Sequence, residues 1–97
     1  MTPMKKVEIV TDFLELTAIS RALEELGVGG YTIVRDVTGY GGHGRRTGDE
    51  ITGVFQNCYV MTVCTPELAE RIVDMIRPML KRYGGIAVVS DCLWVKH

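Results

Sequence analysis

The chain has 97 residues, of which 46% are hydrophobic and 24% charged, and its formal net charge at pH 7 is −1. This length and hydrophobic content predict a single packed domain, 1–97, and exclude a disordered chain. With no excess of basic residues we expect no nucleic-acid partner, and no apolar stretch approaches membrane-spanning length. The absence of a signal-peptide pattern, together with three cysteines that form no CxxC pair, favours a soluble cytoplasmic protein.

The first third of the chain predicts a strand, a helix and a second strand. Lys5–Thr11 is rich in β-branched residues, as strands are, and Asp12 can cap a following helix. Apolar residues then recur at helical spacing until Gly27, which ends the helix. A second strand is predicted over Tyr31–Val37.

A glycine-rich segment over 38–54 follows, with neither helical nor strand periodicity. Its seventeen residues exceed the usual connection between strands. Closely spaced glycines let backbone N–H groups converge on an anion, and the guanidinium groups of Arg45 and Arg46 match phosphate or carboxylate oxygens. From these residues alone a solvated surface turn is the commoner structure, so the pattern indicates an anion site only weakly.

The second half predicts strand, helix and strand again. Phe55–Cys64 reads as the third strand, and Thr65 followed by Pro66 is typical of a helix start. Because proline removes a backbone donor and clashes with the preceding turn, Pro78 is predicted to kink this helix or to end it near Arg77. After two glycines, residues 86–95 form the last predicted strand.

The element order is therefore βαββαβ, which predicts an α+β, ferredoxin-like fold. In that fold an antiparallel sheet carries both helices on one face. Along the last strand apolar residues alternate onto both faces of the sheet, although the helices can cover only one. We therefore expect the chain to form oligomers through the open face.

Residues around the long segment resemble those of the PII signal-transduction proteins. Gly30–Val34 is followed by Gly39, Tyr40 and Gly41, similar to the G-x-T-V strand and G-Y-G turn at the root of the family's T-loop. The opening 5–10 and the βαββαβ order extend the resemblance over nearly the whole chain. It implies a PII-like homotrimer with a nucleotide site between each pair of subunits. It also implies a T-loop at 38–54 that changes shape with the ligand and contacts a partner.

Departures from the nitrogen-sensing members point to the branch associated with inorganic carbon. Residues 81–85 have glycine where those members have a phosphate-binding lysine, and Lys96 matches the first of two basic residues after the last strand. Residues 45–48 are similar to the R-S-T-G of that branch's T-loop. The resemblance implies binding of AMP or ADP, with ATP and cyclic AMP as further candidates, and bicarbonate beside the nucleotide. It implies a membrane transporter or a carboxysome-related protein as partner.

The resemblance also implies which residues form the sites. Strand residues would provide an apolar slot for adenine and glycine-rich turns would hold the phosphates. The predicted nucleotide-binding residues are Val10, Thr32, Ile33, Val34, Gly39, Tyr40, Gly41, Gly42, Arg45, Arg46, Gly84, Gly85, Ile86 and Lys96. Bicarbonate would bind to Arg45 and Arg46.

Two other functions remain open at this point. A weak nucleotide or acyl-phosphate hydrolase of the same fold is one, but no paired acid and base is evident, so we expect no enzyme and no catalytic residues. A trimeric divalent-metal-binding protein is the other, although two histidines and scattered cysteines give no ligand cluster. We expect neither a metal nor a cofactor.

Overall fold

The computed structural model describes residues 1–39 and 57–97 and places four strands and two helices in them. The strands are β1 (Thr2–Asp12), β2 (Thr32–Val37), β3 (Asn57–Cys64) and β4 (Ile86–Trp94); the helices are α1 (Leu16–Leu26), preceded by a 3₁₀ turn over Phe13–Glu15, and α2 (Pro66–Tyr83). The strand order is β2-β3-β1-β4, and every neighbouring pair is antiparallel. The predicted ferredoxin-like fold is confirmed.

The ends of the helices follow the local signals in the sequence. The Asp12 carboxylate accepts a hydrogen bond from the Leu14 N–H at 2.9 Å and caps the 3₁₀ turn. Gly27 ends α1 in the left-handed conformation, with φ 87°. The Thr65 hydroxyl accepts from the Leu68 N–H at 3.3 Å at the start of α2.

Of the two effects predicted for Pro78, an end of α2 near Arg77 is contradicted, while a kink remains a prediction. The helix continues through Pro78 to Tyr83. Proline removes the donor to the carbonyl of the residue four positions earlier, here Asp74. Both residues are exposed, so water can hydrate that carbonyl, while Ile76 keeps the opposite side of the helix in the core.

Strand lengths differ from the prediction at several ends. β1 begins at Thr2, three residues before the predicted start, because Thr2–Met4 pair with β4. β2 begins at Thr32, one residue late, and β4 ends at Trp94 instead of at residue 95. Phe55, where the third strand was predicted to begin, lies outside the described residues.

The core lies between the two helices and one face of the sheet. Alternate residues of the central strands β1 and β3 point into it, against the apolar sides of α1 and α2. The buried apolar residues are Val7, Ile9, Leu16, Ile19, Leu23, Cys58, Val60, Cys64, Ala69, Ile72 and Ile76. Burial raises the pKa of the Cys58 and Cys64 thiols, which favours their neutral, unreactive form.

The other face of the sheet, here called the open face, is not covered by α1 or α2. It includes large exposed apolar side chains from both edge strands: Val34, Ile86, Val88 and Trp94. The sheet is therefore apolar on both faces, as the alternation in the last strand predicts. Oligomerisation through the open face remains a prediction.

Neither helix combines the length and hydropathy needed to cross a bilayer, within the parts of the chain that are described.

Candidate functional site

The predicted site residues Val10 and Ile86 lie side by side at one end of the sheet. They are register partners at the point where β1 approaches its end and β4 begins. Both side chains lie on the open face, and Ile86 is 58% exposed. This pair gives the end of the sheet a small apolar surface, of the kind that the flat face of a nucleobase requires.

A hydrogen bond holds the turn between α2 and β4, formed by Gly84 and Gly85, against this end of β1. The Gly84 N–H donates to the Leu80 carbonyl at 2.8 Å, and the Gly84 carbonyl accepts from the buried Thr11 hydroxyl at 3.3 Å. Gly85 has φ +113°, and a Cβ there would lie 2.4 Å from the Val10 carbonyl oxygen. Only glycine fits so close to the neighbouring backbone in that conformation. The turn thus presents its backbone at a fixed position beside Val10.

Thr11 holds the turn of the candidate site in place and was not among the residues predicted from the sequence. It lies in β1 at a position of the alternation that faces the core, after Val7 and Ile9, where an apolar residue is expected. A hydroxyl buried there requires a hydrogen-bond partner, which the Gly84 carbonyl provides. In the sequence, Thr11 could have been identified as a polar residue that follows Val7 and Ile9 at the next core-facing position of β1.

The three predicted residues of β2 lie on two different faces. Val34 pairs with Tyr59 of β3, so its side chain is on the open face in the same row as Val10 and Ile86. Thr32 also lies on the open face, two residues away. Ile33 pairs with Val60 and packs against the core on the helix side, so it can support the site only from beneath.

The end of β2 leads into the predicted loop. Asp36 has φ 59°, unusual for a residue other than glycine, and the register with β3 shifts between Arg35 and Val37. Gly39 is exposed, and a Cβ there would meet no atom within 4 Å. The predicted site residues Tyr40, Gly41, Gly42, Arg45 and Arg46 lie outside the described residues.

Lys96 is far from the rest of the predicted site in one protomer. Trp94 pairs with Thr2 at one end of β1, whereas Ile86 pairs with Val10 near the other end. From Ile86 to Trp94 the strand advances by eight residue steps, which span about 27 Å. A single copy of the chain therefore brings together Val10, the glycine turn and Ile86, but not Lys96.

No three histidine, cysteine or acidic side chains lie close enough to hold a metal ion within residues 1–39 and 57–97. The three cysteines are free thiols, two of them buried. At the candidate site, the Thr11 hydroxyl and the Gly84 N–H are both already used in hydrogen bonds within the described part of the chain.

Comparisons with known proteins agree with this architecture. The sequence model of the nitrogen regulatory protein P-II family matches residues 4–97. No curated protein sequence matches the chain. The structure of CPII, a nitrogen regulatory PII-like protein from Thiomonas intermedia, bound to ADP, AMP and bicarbonate, superposes with a TM-score of 0.82 at 24% identity, covering 98% of this chain and 96% of that one.

Two further solved structures have somewhat higher sequence identity. CPII bound to ADP and bicarbonate is 27% identical with a TM-score of 0.79, covering 93% of this chain and 86% of that one. A PII-like signaling protein from Thermus thermophilus is 28% identical with a TM-score of 0.73, covering 94% of this chain and 87% of that one. The similarity extends over nearly the whole length in each case.

Proposed function

The chain belongs to the nitrogen regulatory protein P-II family, and we propose that it is a non-enzymatic regulator that binds ADP or AMP between the subunits of a homotrimer. In this proposal bicarbonate binds together with the nucleotide. The bound state signals inorganic-carbon or energy status, in the cytoplasm, to a membrane transporter or a carboxysome-related protein.

One observation supports a site shared between subunits more than any other. Among the described residues, Val10, the glycine turn and Ile86 lie at one end of β4, whereas Lys96 follows Trp94 at the other end, about 27 Å of strand away from Ile86. Because a nucleotide cannot contact both ends at once, the site is complete only if a neighbouring copy contributes Lys96. In a cyclic trimer every interface can repeat this arrangement, giving three equal sites.

The local structure provides parts suited to an adenine nucleotide. Val10 and Ile86 offer apolar surface for the base, and the turn, whose Gly84 N–H is already bonded to the Leu80 carbonyl, would offer the Gly85 N–H to a phosphate oxygen. Arg45 and Arg46 would complete the phosphate and bicarbonate contacts with forked donors. The choice of ADP, AMP and bicarbonate is supported by the CPII structures that hold these ligands.

Signalling would proceed through the T-loop at 38–54. In the chain this segment lies between the end of β2 and the start of β3, which are at the same end of the sheet as the candidate site. A ligand that contacts both the loop and the fixed turn would favour loop conformations different from those of the free protein, and so change the surface offered to a partner.

Isothermal titration calorimetry tests the ligand assignment. AMP, ADP, ATP and cyclic AMP are titrated in turn, with and without bicarbonate. We expect heat from AMP or ADP, and additional heat from bicarbonate only when nucleotide is bound. Arg46→Ala should weaken both, whereas Arg21→Ala, which removes the same charge from the exposed surface of α1, should not. Absence of heat from every adenylate, or turnover of ATP or ADP, would contradict the proposal.

Subunit complementation tests the shared site. Gly39→Val and Lys96→Ala are predicted to fold, since both positions are exposed and a Cβ at Gly39 has free space. Each variant alone should bind nucleotide poorly. In randomly mixed trimers about a quarter of the interfaces would pair two unaltered contributions and regain binding. A mixture that binds no better than its components would show that both residues belong to one subunit's site, or to none.

A further inference from the structure

Two charged side chains lie in the centre of the otherwise largely apolar open face. Lys6 and Glu8 are two residues apart on β1, a central strand, so they point to the same side of the sheet. Their partners on β4 and β3 on this face are Ser90, Val63, Val88 and Met61. Charged residues are uncommon in the middle of a surface that must be covered, and therefore require an explanation.

The two charges are joined with a tyrosine in one network. The Tyr59 hydroxyl donates to Glu8 Oε2 at 2.6 Å, and Lys6 Nζ lies 3.7 Å from Glu8 Oε1. Each carboxylate oxygen thus has its own partner from the same protomer. The hydrogen bond to Glu8 is the largest cause of a raised pKa at Tyr59, which keeps the phenol protonated as a donor.

This arrangement makes the open face suitable for contact with identical copies. Covering an unpaired charge is costly, whereas a charge that is already paired and hydrogen-bonded can be covered at a much smaller cost. One positive and one negative group per protomer leave the network electrically neutral. Identical faces can therefore meet without net repulsion, although they are copies of one another.

We propose that Lys6, Glu8 and Tyr59 form the polar element of the subunit interface, with Glu8 as the residue that holds it together. The occupant of the open face is a second copy of this chain. This inference rests on the proposed trimer, in which a neighbour must approach to complete the nucleotide site. Buried polar networks can fix the register of an interface that apolar contacts alone would leave loose.

Variants at Glu8 and Lys6 separate charge balance from packing. Glu8→Gln keeps the side-chain shape but leaves one uncompensated Lys6 per subunit in the interface. Lys6→Met combined with Glu8→Gln removes both charges. Asp91→Asn is the matched control. Asp91 forms an ion pair with Lys5 on the helix side of the sheet, opposite the open face, and the Asp91 side chain is 86% exposed.

Sedimentation velocity over a range of protein concentrations measures the assembly, and circular dichroism confirms that each variant is folded. We expect Glu8→Gln to raise the concentration at which the trimer dissociates by about tenfold or more, since neutralising one partner of a covered charge pair leaves the other charge uncompensated. The double variant should recover most of that loss. Asp91→Asn should assemble like the unaltered protein, because exposed ion pairs contribute little.

Each other outcome is decisive. If Glu8→Gln assembles like the unaltered protein, if Asp91→Asn is equally weakened, or if the double variant recovers nothing, the network does not have this role, while the proposed trimer stands. If the unaltered chain is monomeric at every concentration, the proposed function itself is wrong. Nucleotide titration of the trimeric variants keeps the two cases distinct.

Discussion

Replacing Gly85 with alanine is the sharpest single perturbation of the candidate site. With φ +113° this position lies where side chains are strained, at a cost of about 1–3 kcal/mol. The added Cβ would lie 2.4 Å from the Val10 carbonyl oxygen, a backbone atom that cannot rotate away, and relieving such an overlap costs about 1–3 kcal/mol more. We therefore expect Gly85→Ala to lower the free energy of unfolding by about 2–6 kcal/mol in total.

Urea unfolding at fixed protein concentration gives this difference, because assembly would otherwise shift the apparent stability. Gly29→Ala is the matched control, since a Cβ at Gly29 meets nothing within 4 Å, and it should stay within about 0.5 kcal/mol of the unaltered protein. In the folded fraction, Gly85→Ala should also weaken ADP binding, because the turn must move away from Val10. Equal stability and equal ADP affinity in the two variants would refute the close approach and its role.

Three further predictions concern single side chains. Thr11→Val should destabilise the fold by about 1–2 kcal/mol in the same urea assay, since it leaves a buried carbonyl without its donor; an unchanged midpoint would contradict this. Pro78→Ala should raise the melting temperature, because it restores a helical hydrogen bond at an exposed position; a lower value would mean that α2 depends on proline. A thiol reagent at neutral pH should modify at most Cys92 in the native protein, since burial raises the pKa of the other two thiols, and all three after denaturation. Native labelling of Cys58 or Cys64 would contradict their burial.

The fold could be predicted because its signals are local. The Asp12 and Thr65 caps, Gly27 and the apolar periodicities between them fix the order of elements, and that order admits few topologies. The end of α2 could not be predicted in the same way. Whether Pro78 ends a helix depends on whether the carbonyl it frees can reach water and on whether the following turn is packed, and neither is visible in the sequence.

The local structure of the candidate site could be predicted only in part. Gly84 and Gly85 were named because of the family resemblance, but the hydrogen bond that holds them to β1 joins Thr11 and Gly84, residues 73 positions apart. Ile33 and Val34 are consecutive in β2 and so lie on opposite faces of the sheet. A one-residue change in register would exchange their faces. The distance between Lys96 and Ile86 follows from the length of β4. Only a second copy of the chain could bring Lys96 close to the candidate site, and one chain's sequence does not show such a copy.

Native mass spectrometry of the protein mixed with ADP or AMP tests the central claim most directly, since it counts chains and ligands in one particle. A trimer that binds up to three nucleotides is the predicted result. Monomers, or trimers that remain free of nucleotide at saturating concentrations, would contradict the claim that neighbouring copies form the site.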